Sequence, residues 1–219
     1  MTTFVLVHGG NMAADTWNRL TGRQDYPPGS LLGAKYWDGT VAWLIAHGHA
    51  AFAPDLADEH TRDLSDHISH VCSLIEGTAV TDVVLVGHSY GGMVITGVAD
   101  RMPDRIRRLV YIDAALPDPG QSLFDLFTAA GVDPASVTGP GAAPAYGENL
   151  AFNPRKIRPI KKTYILCTES EFAGITANAK KKISAHKEGW TYLELPTSHV
   201  PMATMPERLY RILGQVAEQ

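Results

Sequence analysis

The chain has 219 residues, 45% of them apolar and 19% charged, with 20 Gly and 14 Pro; at roughly 150 residues per domain it reads as one globular domain over 1–219 rather than a disordered, collagenous or repeat protein. A net charge of −4 supplies no positive field for a nucleic-acid backbone or an anionic membrane, so neither is expected as a partner. Cys72 and Cys167 lie 95 positions apart without a metal or disulfide pattern, and there is neither a basic leader nor a run approaching 18 apolar residues, so core thiols in a cytoplasmic protein are expected.

Apolar runs then alternate with amphipathic stretches, the pattern of a mainly parallel sheet with helices on both faces, an α/β fold. Phe4–Val7 is wholly apolar, as central parallel strands are, and His8-Gly9-Gly10 ends it. Thr40–His47 reads as a helix stopped by Gly48, and His49–Pro54 as a strand. Asp63–Glu76 carries Leu64, Ile68, Val71 and Ile75 at spacings of three and four, which predicts an amphipathic helix. Val83–Val86 is the most strand-like run; Gly87 breaks it and a helix resumes over Gly92–Arg101. Strands follow at Leu109–Ile112, Lys162–Cys167 and Trp190–Leu195, with a last helix over Pro206–Ala217. Two segments interrupt the alternation, 21–39 and 116–159, and the second centres on the Pro/Gly/Ala run from Gly139 to Ala145. Long irregular segments of this kind are lids or binding loops.

Gly87-His88-Ser89-Tyr90-Gly91 matches G-x-S-x-G between a strand and a helix, the context of a nucleophile elbow. The serine needs a strained, sharp turn, and side chains at Gly87 and Gly91 would collide with neighbouring backbone. Such a turn presents Ser89 above the sheet and frees the Tyr90 N–H for a developing oxyanion; the His8-Gly9-Gly10 loop supplies a second donor at the Gly10 N–H. The general base must be a histidine late in the chain, and His199, between the last strand and the last helix, is placed to reach Ser89. His88 falls on the wrong side of the turn. His67 and His70, with Asp63 and Asp66, read as the polar face of a helix rather than a metal site, and Lys180-Lys181-Lys182 as a solvated helix face. Glu169, Glu171 and Asp113 all follow strands and are sterically admissible as the acid that orients the imidazole.

Together, FVLVHGG at 4–10, APDL at 53–56, LVGHSYGG at 85–92 and SHVPM at 198–202 resemble the α/β-hydrolase superfamily, and within it the small esterase and hydroxynitrile-lyase-like branch. The resemblance runs over nearly the whole chain. It implies a cofactor-independent serine hydrolase acting on a small carboxylic ester, with Ser89 as nucleophile, His199 as base, Gly10 and Tyr90 as oxyanion donors and no metal. In that branch the acid follows a Cys-Thr pair by two or three residues, which implies Glu171, 28 positions before His199; the usual residue is Asp, and Asp113 stays open as the alternative. The lyase use of the same residues relies on a pocket lysine, whereas Lys161 and Lys162 are expected to point away; a ligand-binding relative without catalysis is the remaining alternative. Against that branch the chain carries an insertion at 21–39 and a reduced cap at 116–159. Tyr36 and Trp37 of the insertion are expected to wall the pocket, or, if exposed, to offer a homodimer surface.

Overall fold

The computed structural model describes residues 1–78, 80–138 and 143–219. Six strands form one sheet in the order β2-β1-β3-β4-β5-β6, and every neighbouring pair is parallel. They are β1 (Thr3–Val7), β2 (Ala50–Phe52), β3 (Val83–His88), β4 (Ile106–Ile112), β5 (Lys161–Cys167) and β6 (Trp190–Leu195). The central strands are buried on both faces, which is why their sequences are continuous Val, Leu and Ile runs rather than alternating ones. Side chains nevertheless alternate between two cores: Val5, Val7, Leu85 and Tyr111 enter one, and Phe4, Leu6, Val86 and Ile112 the other.

The helices are α1 (Ala14–Thr21), α2 (Asp38–Ala46), α3 (Leu64–Gly77), α4 (Gly91–Arg101), α5 (Leu123–Ala129), α6 (Ala173–Ala185) and α7 (Pro206–Glu218), with shorter helical turns between them. Helices α1, α2 and α7 close the Phe4 side through Trp17, Leu44, Leu209 and Leu213, while α3, α4, α5 and α6 close the Val5 side. The helix over α3 follows the predicted stripe, with Asp63 as its N-cap accepting from the Asp66 N–H at 2.8 Å. Strand β3 runs one residue past Gly87, so the break falls after His88, and β2 is shorter than its apolar run suggests. No helix among the described residues is long and apolar enough to cross a membrane. Both cysteines are free and buried.

Chain direction places the site. From β1 the chain moves to β2 on one side and later to β3 on the other, so the crevice between the carboxyl ends of β1 and β3 is the switch point where open α/β sheets bind ligands. The His8-Gly9-Gly10 loop and Ser89 meet there. The 116–159 segment overlies this edge through α5 and the turn Pro144–Gly147, pinned by the Gln121–Leu150 bridge; positions 139–142 of its Pro/Gly run lie outside the described residues. At the opposite edge β4 carries a bulge: Val83 pairs with Ile106 and Val84 with Arg108, leaving Arg107 as the extra residue.

Candidate active site

Ser89 sits at φ +55°, in the left-handed region that side chains ordinarily avoid. The turn is bought by glycines: a Cβ on Gly87 would lie 2.6 Å from the Gly91 carbonyl oxygen, and one on Gly9 would lie 2.7 Å from the Ser89 Cβ. Such contacts force the backbone apart, so the elbow and the β1 loop can approach only through residues without side chains. The Tyr90 side chain fixes the turn from below, its hydroxyl donating to His67 Nδ1 at 2.9 Å while His67 Nε2 donates to the Ala57 carbonyl at 3.0 Å. His67 is thus buried with both ring nitrogens engaged, not on the solvated face expected for it; His70 is exposed.

The β1 loop is oriented by its own hydrogen bonds. His8 Nε2 accepts from the Leu56 N–H at 2.9 Å, so Nδ1 carries the proton and donates to the Gly9 carbonyl at 2.7 Å. With that carbonyl held against the ring, the Gly10 N–H on the opposite edge of the same trans peptide faces away from it. Neither the Gly10 nor the Tyr90 N–H has a partner among the described residues. Glu59 secures the next residue, accepting from the Asn11 N–H and Nδ2 at 3.1 Å each and from the Tyr146 hydroxyl at 3.2 Å.

His199 Nδ1 donates to Asp113 Oδ2 at 2.7 Å. Asp113, at the end of β4, has no exposed side-chain surface; its other oxygen accepts from the Cys167 N–H at 3.1 Å, and its backbone turns at φ +43° to aim the carboxylate. Glu171, the acid implied by the resemblance, does not touch the imidazole: it is exposed, and its Oε2 accepts from the His199 backbone N–H at 3.3 Å. The carboxylate at the imidazole is therefore Asp113, not Glu171. The reason is depth, since the turn after β5 rises to the surface while the turn after β4 stays under the ring. Ser170, beside Glu171, accepts from the Phe172 N–H at 3.1 Å and shapes that turn. Glu169 is exposed too.

His88, set aside from the sequence, proves to hold the histidine loop. Its Nε2 donates to the His199 carbonyl at 2.7 Å, so Nδ1 is an acceptor and takes the Tyr36 hydroxyl proton at 3.0 Å. The Tyr36 oxygen in turn accepts from the Gly9 N–H. Burial, and after it the neighbouring His199, pushes the His88 pKa well below the usual histidine value, so this chain works with a neutral ring. Tyr36 and Trp37 are both buried, which removes them as an exposed dimer surface; Tyr36 lines the cavity and Trp37 packs behind His88 at 6.3 Å between ring centroids.

Ser89 and His199 share a cavity of about 360 Å³. One wall is polar, with Gly10, Asn11 and Glu59; the other is apolar, with Leu123, Phe127 and Phe172, and it continues into a crevice behind Ser89 bounded by Ala115 and Ile175. The Phe172 ring lies 4.4 Å from the His199 ring and shields it. The Ser89 hydroxyl has no hydrogen-bond partner among the described residues, and it lines the same cavity as His199. Lys162 stays at the far edge, its Nζ donating to the Ile157 and Ile160 carbonyls.

The alpha/beta hydrolase family matches residues 4–151. The chain belongs to that family. Over 135 residues it is 40% identical to a carbendazim hydrolyzing esterase of Nocardioides sp. (strain SG-4G), covering 58% of this chain and 47% of that protein. It is 36% identical over 122 residues to polyneuridine aldehyde esterase of Rauvolfia serpentina, covering 55% and 41%. These matches span less than half of each relative's length. Among solved structures, an extracellular alpha/beta-hydrolase from a Paenibacillus species superposes with a TM-score of 0.70 at 23% identity over the whole of both chains. A pyrethroid hydrolase from Sphingobium faniae JZ-2 does so at 0.70 and 22%, over 99% and 97%. At such identities the likeness is one of fold.

Proposed function

We propose that the protein is a cofactor-independent serine esterase acting on a small carboxylic ester. The observation that carries this reading is the His199–Asp113 bond at 2.7 Å in the same cavity as Ser89, itself on a left-handed elbow between two unpartnered backbone N–H groups. Ser89 Oγ attacks the ester carbonyl and passes its proton to His199 Nε2, while Asp113 holds the Nδ1–H tautomer and balances the imidazolium. The Gly10 and Tyr90 N–H groups take the oxyanion, each contributing about 10²–10³ in rate by analogy with other acyl-transfer enzymes. His199 returns the proton to the departing alcohol, and water then clears the acyl-enzyme by the same steps in reverse. The esterase names of the relatives support the same class, and a cavity of about 360 Å³ suits a small substrate. No lysine lines the cavity among the described residues, which counts against the lyase reading. A buried Asp in place on His199 counts against a relative that has lost its acid.

The test is stopped-flow hydrolysis of p-nitrophenyl acetate. The expected result is a burst of p-nitrophenolate stoichiometric with enzyme that disappears in Ser89→Ala; a burst that persists in Ser89→Ala overturns the reading.

A further inference from the structure

The end of the sheet away from Ser89 holds a second cavity, also of about 360 Å³. Arg107, Arg108, Lys156 and Lys161 line it, and Asp104 is the one acidic side chain in its wall among the described residues. In a regular strand Arg107 and Arg108 would project from opposite faces; the bulge at Arg107 lets both border one cavity. Arg108 is only 4% exposed, yet among the described residues its sole polar partner is the Thr163 hydroxyl, which accepts from Nη1 at 3.1 Å, and no carboxylate of them lies within ion-pair distance. A guanidinium carries five N–H donors, so most of the Arg108 donors are left to the cavity it lines rather than to a protein partner. Arg107 Nη2 reaches Thr2 Oγ1 and the Ala217 carbonyl, while its Nε is buried without a partner. Lys156 is paired with Asp100 at 3.7 Å, whereas the exposed Lys161 has no ion pair among the described residues.

Cations gathered around one cavity raise each other's energy, and an anion bound among them relieves that repulsion. Burial, and after it the charge of Arg107, pulls the Arg108 pKa below its ordinary value. We propose that this cavity is a binding site for a phosphate group, free or carried as a monoester on a small molecule. Phosphate fits better than a carboxylate for two reasons: its second charge answers a second cation, and its tetrahedral oxygens can take bidentate bonds from one guanidinium while still reaching a neighbour. The site lies about 16 Å along β4 from Asp113, at about 3.3 Å per residue, so a phosphate there does not compete with an ester at Ser89.

Thermal unfolding of the full chain tests this, in inorganic phosphate, glycerol phosphate or acetate, each against sodium chloride of matched ionic strength. At about ten times its dissociation constant, a phosphate bound only to the folded state raises the midpoint by about 3–6 °C, while acetate gives little more than chloride. Arg108→Met loses the rise because the guanidinium that would take the phosphate oxygens is gone. Loss of the rise in Arg108→Met, which leaves the Gly10 and Tyr90 N–H groups in place, separates this site from anion binding at the oxyanion donors. Lys161→Glu, an exposed change that leaves the core intact, weakens phosphate binding by about tenfold. A greater rise with glycerol phosphate identifies an organic phosphate, and an equal or smaller one free phosphate. A rise no greater than in chloride overturns the proposal, as does one that survives undiminished in Lys161→Glu.

Discussion

The turns that end β4 and β5 each bring a carboxylate to His199, and they differ in which part of the residue they touch. Asp113, fully buried, meets the imidazole at Nδ1; Glu171, exposed, meets only the backbone N–H. His88 joins the second class from the other side, holding the His199 carbonyl. A contact to the ring sets tautomer and charge, so it acts on the transition state; a contact to the backbone sets position alone. Burial sharpens the contrast, because the exposed carboxylate is screened by water and the buried one is not.

Substitutions can break that contrast in order of size. Asp113→Asn keeps the shape but cannot hold the Nδ1–H tautomer, and kcat for p-nitrophenyl acetate is expected to fall by about 10⁴-fold; a loss under about tenfold would mean the ring is oriented by something else. Tyr36→Phe reaches His199 only through the backbone contact that His88 makes to its carbonyl. It leaves the buried Gly9 N–H and His88 Nδ1 unpaired, at a cost of about 1–3 kcal/mol in urea unfolding, and lets the His199 loop drift, for about a tenfold loss in kcat. A loss as large as that of Asp113→Asn would erase the distinction between ring and backbone contacts.

A third test concerns pH and needs no substitution. Burial lowers the pKa of His8, His67 and His88 in the folded chain. As pH falls through the usual histidine value of about 6.5 the unfolded chain takes up protons that the folded chain refuses, so stability present above that pH is lost below it. The expected slope between pH 6.5 and 5 is up to about 1.4 kcal/mol per unit for each of these residues. Urea midpoints that hold constant across this range would show that the rings accept charge in place.

Much of this site could be read from residues in isolation because its constraints are local. The elbow at Ser89 and the approach of Gly9 are steric demands written into adjacent positions, and the double-sided burial of β1, β3 and β4 is written into their apolar runs. The acid is different, since its only requirement is to end beneath an imidazole 86 positions away, which depends on how deep two turns sit. The burial of His67 is legible in the sequence: three residues after Leu64 and four before Val71, it lies on the buried stripe by the same spacing that predicts α3. The role of His88 depends on Tyr36, from a segment with no periodicity, and nothing in the residues around Glu59 marks its hold on Asn11.

The most direct measurement is the proton NMR spectrum at low field, where a hydrogen-bonded imidazole N–H resolves. The His199 Nδ1–H is expected as a strongly deshielded resonance in wild type, retained in Glu171→Gln and absent in Asp113→Ala. A resonance that survives in Asp113→Ala and vanishes in Glu171→Gln would contradict the pairing on which the proposed chemistry rests.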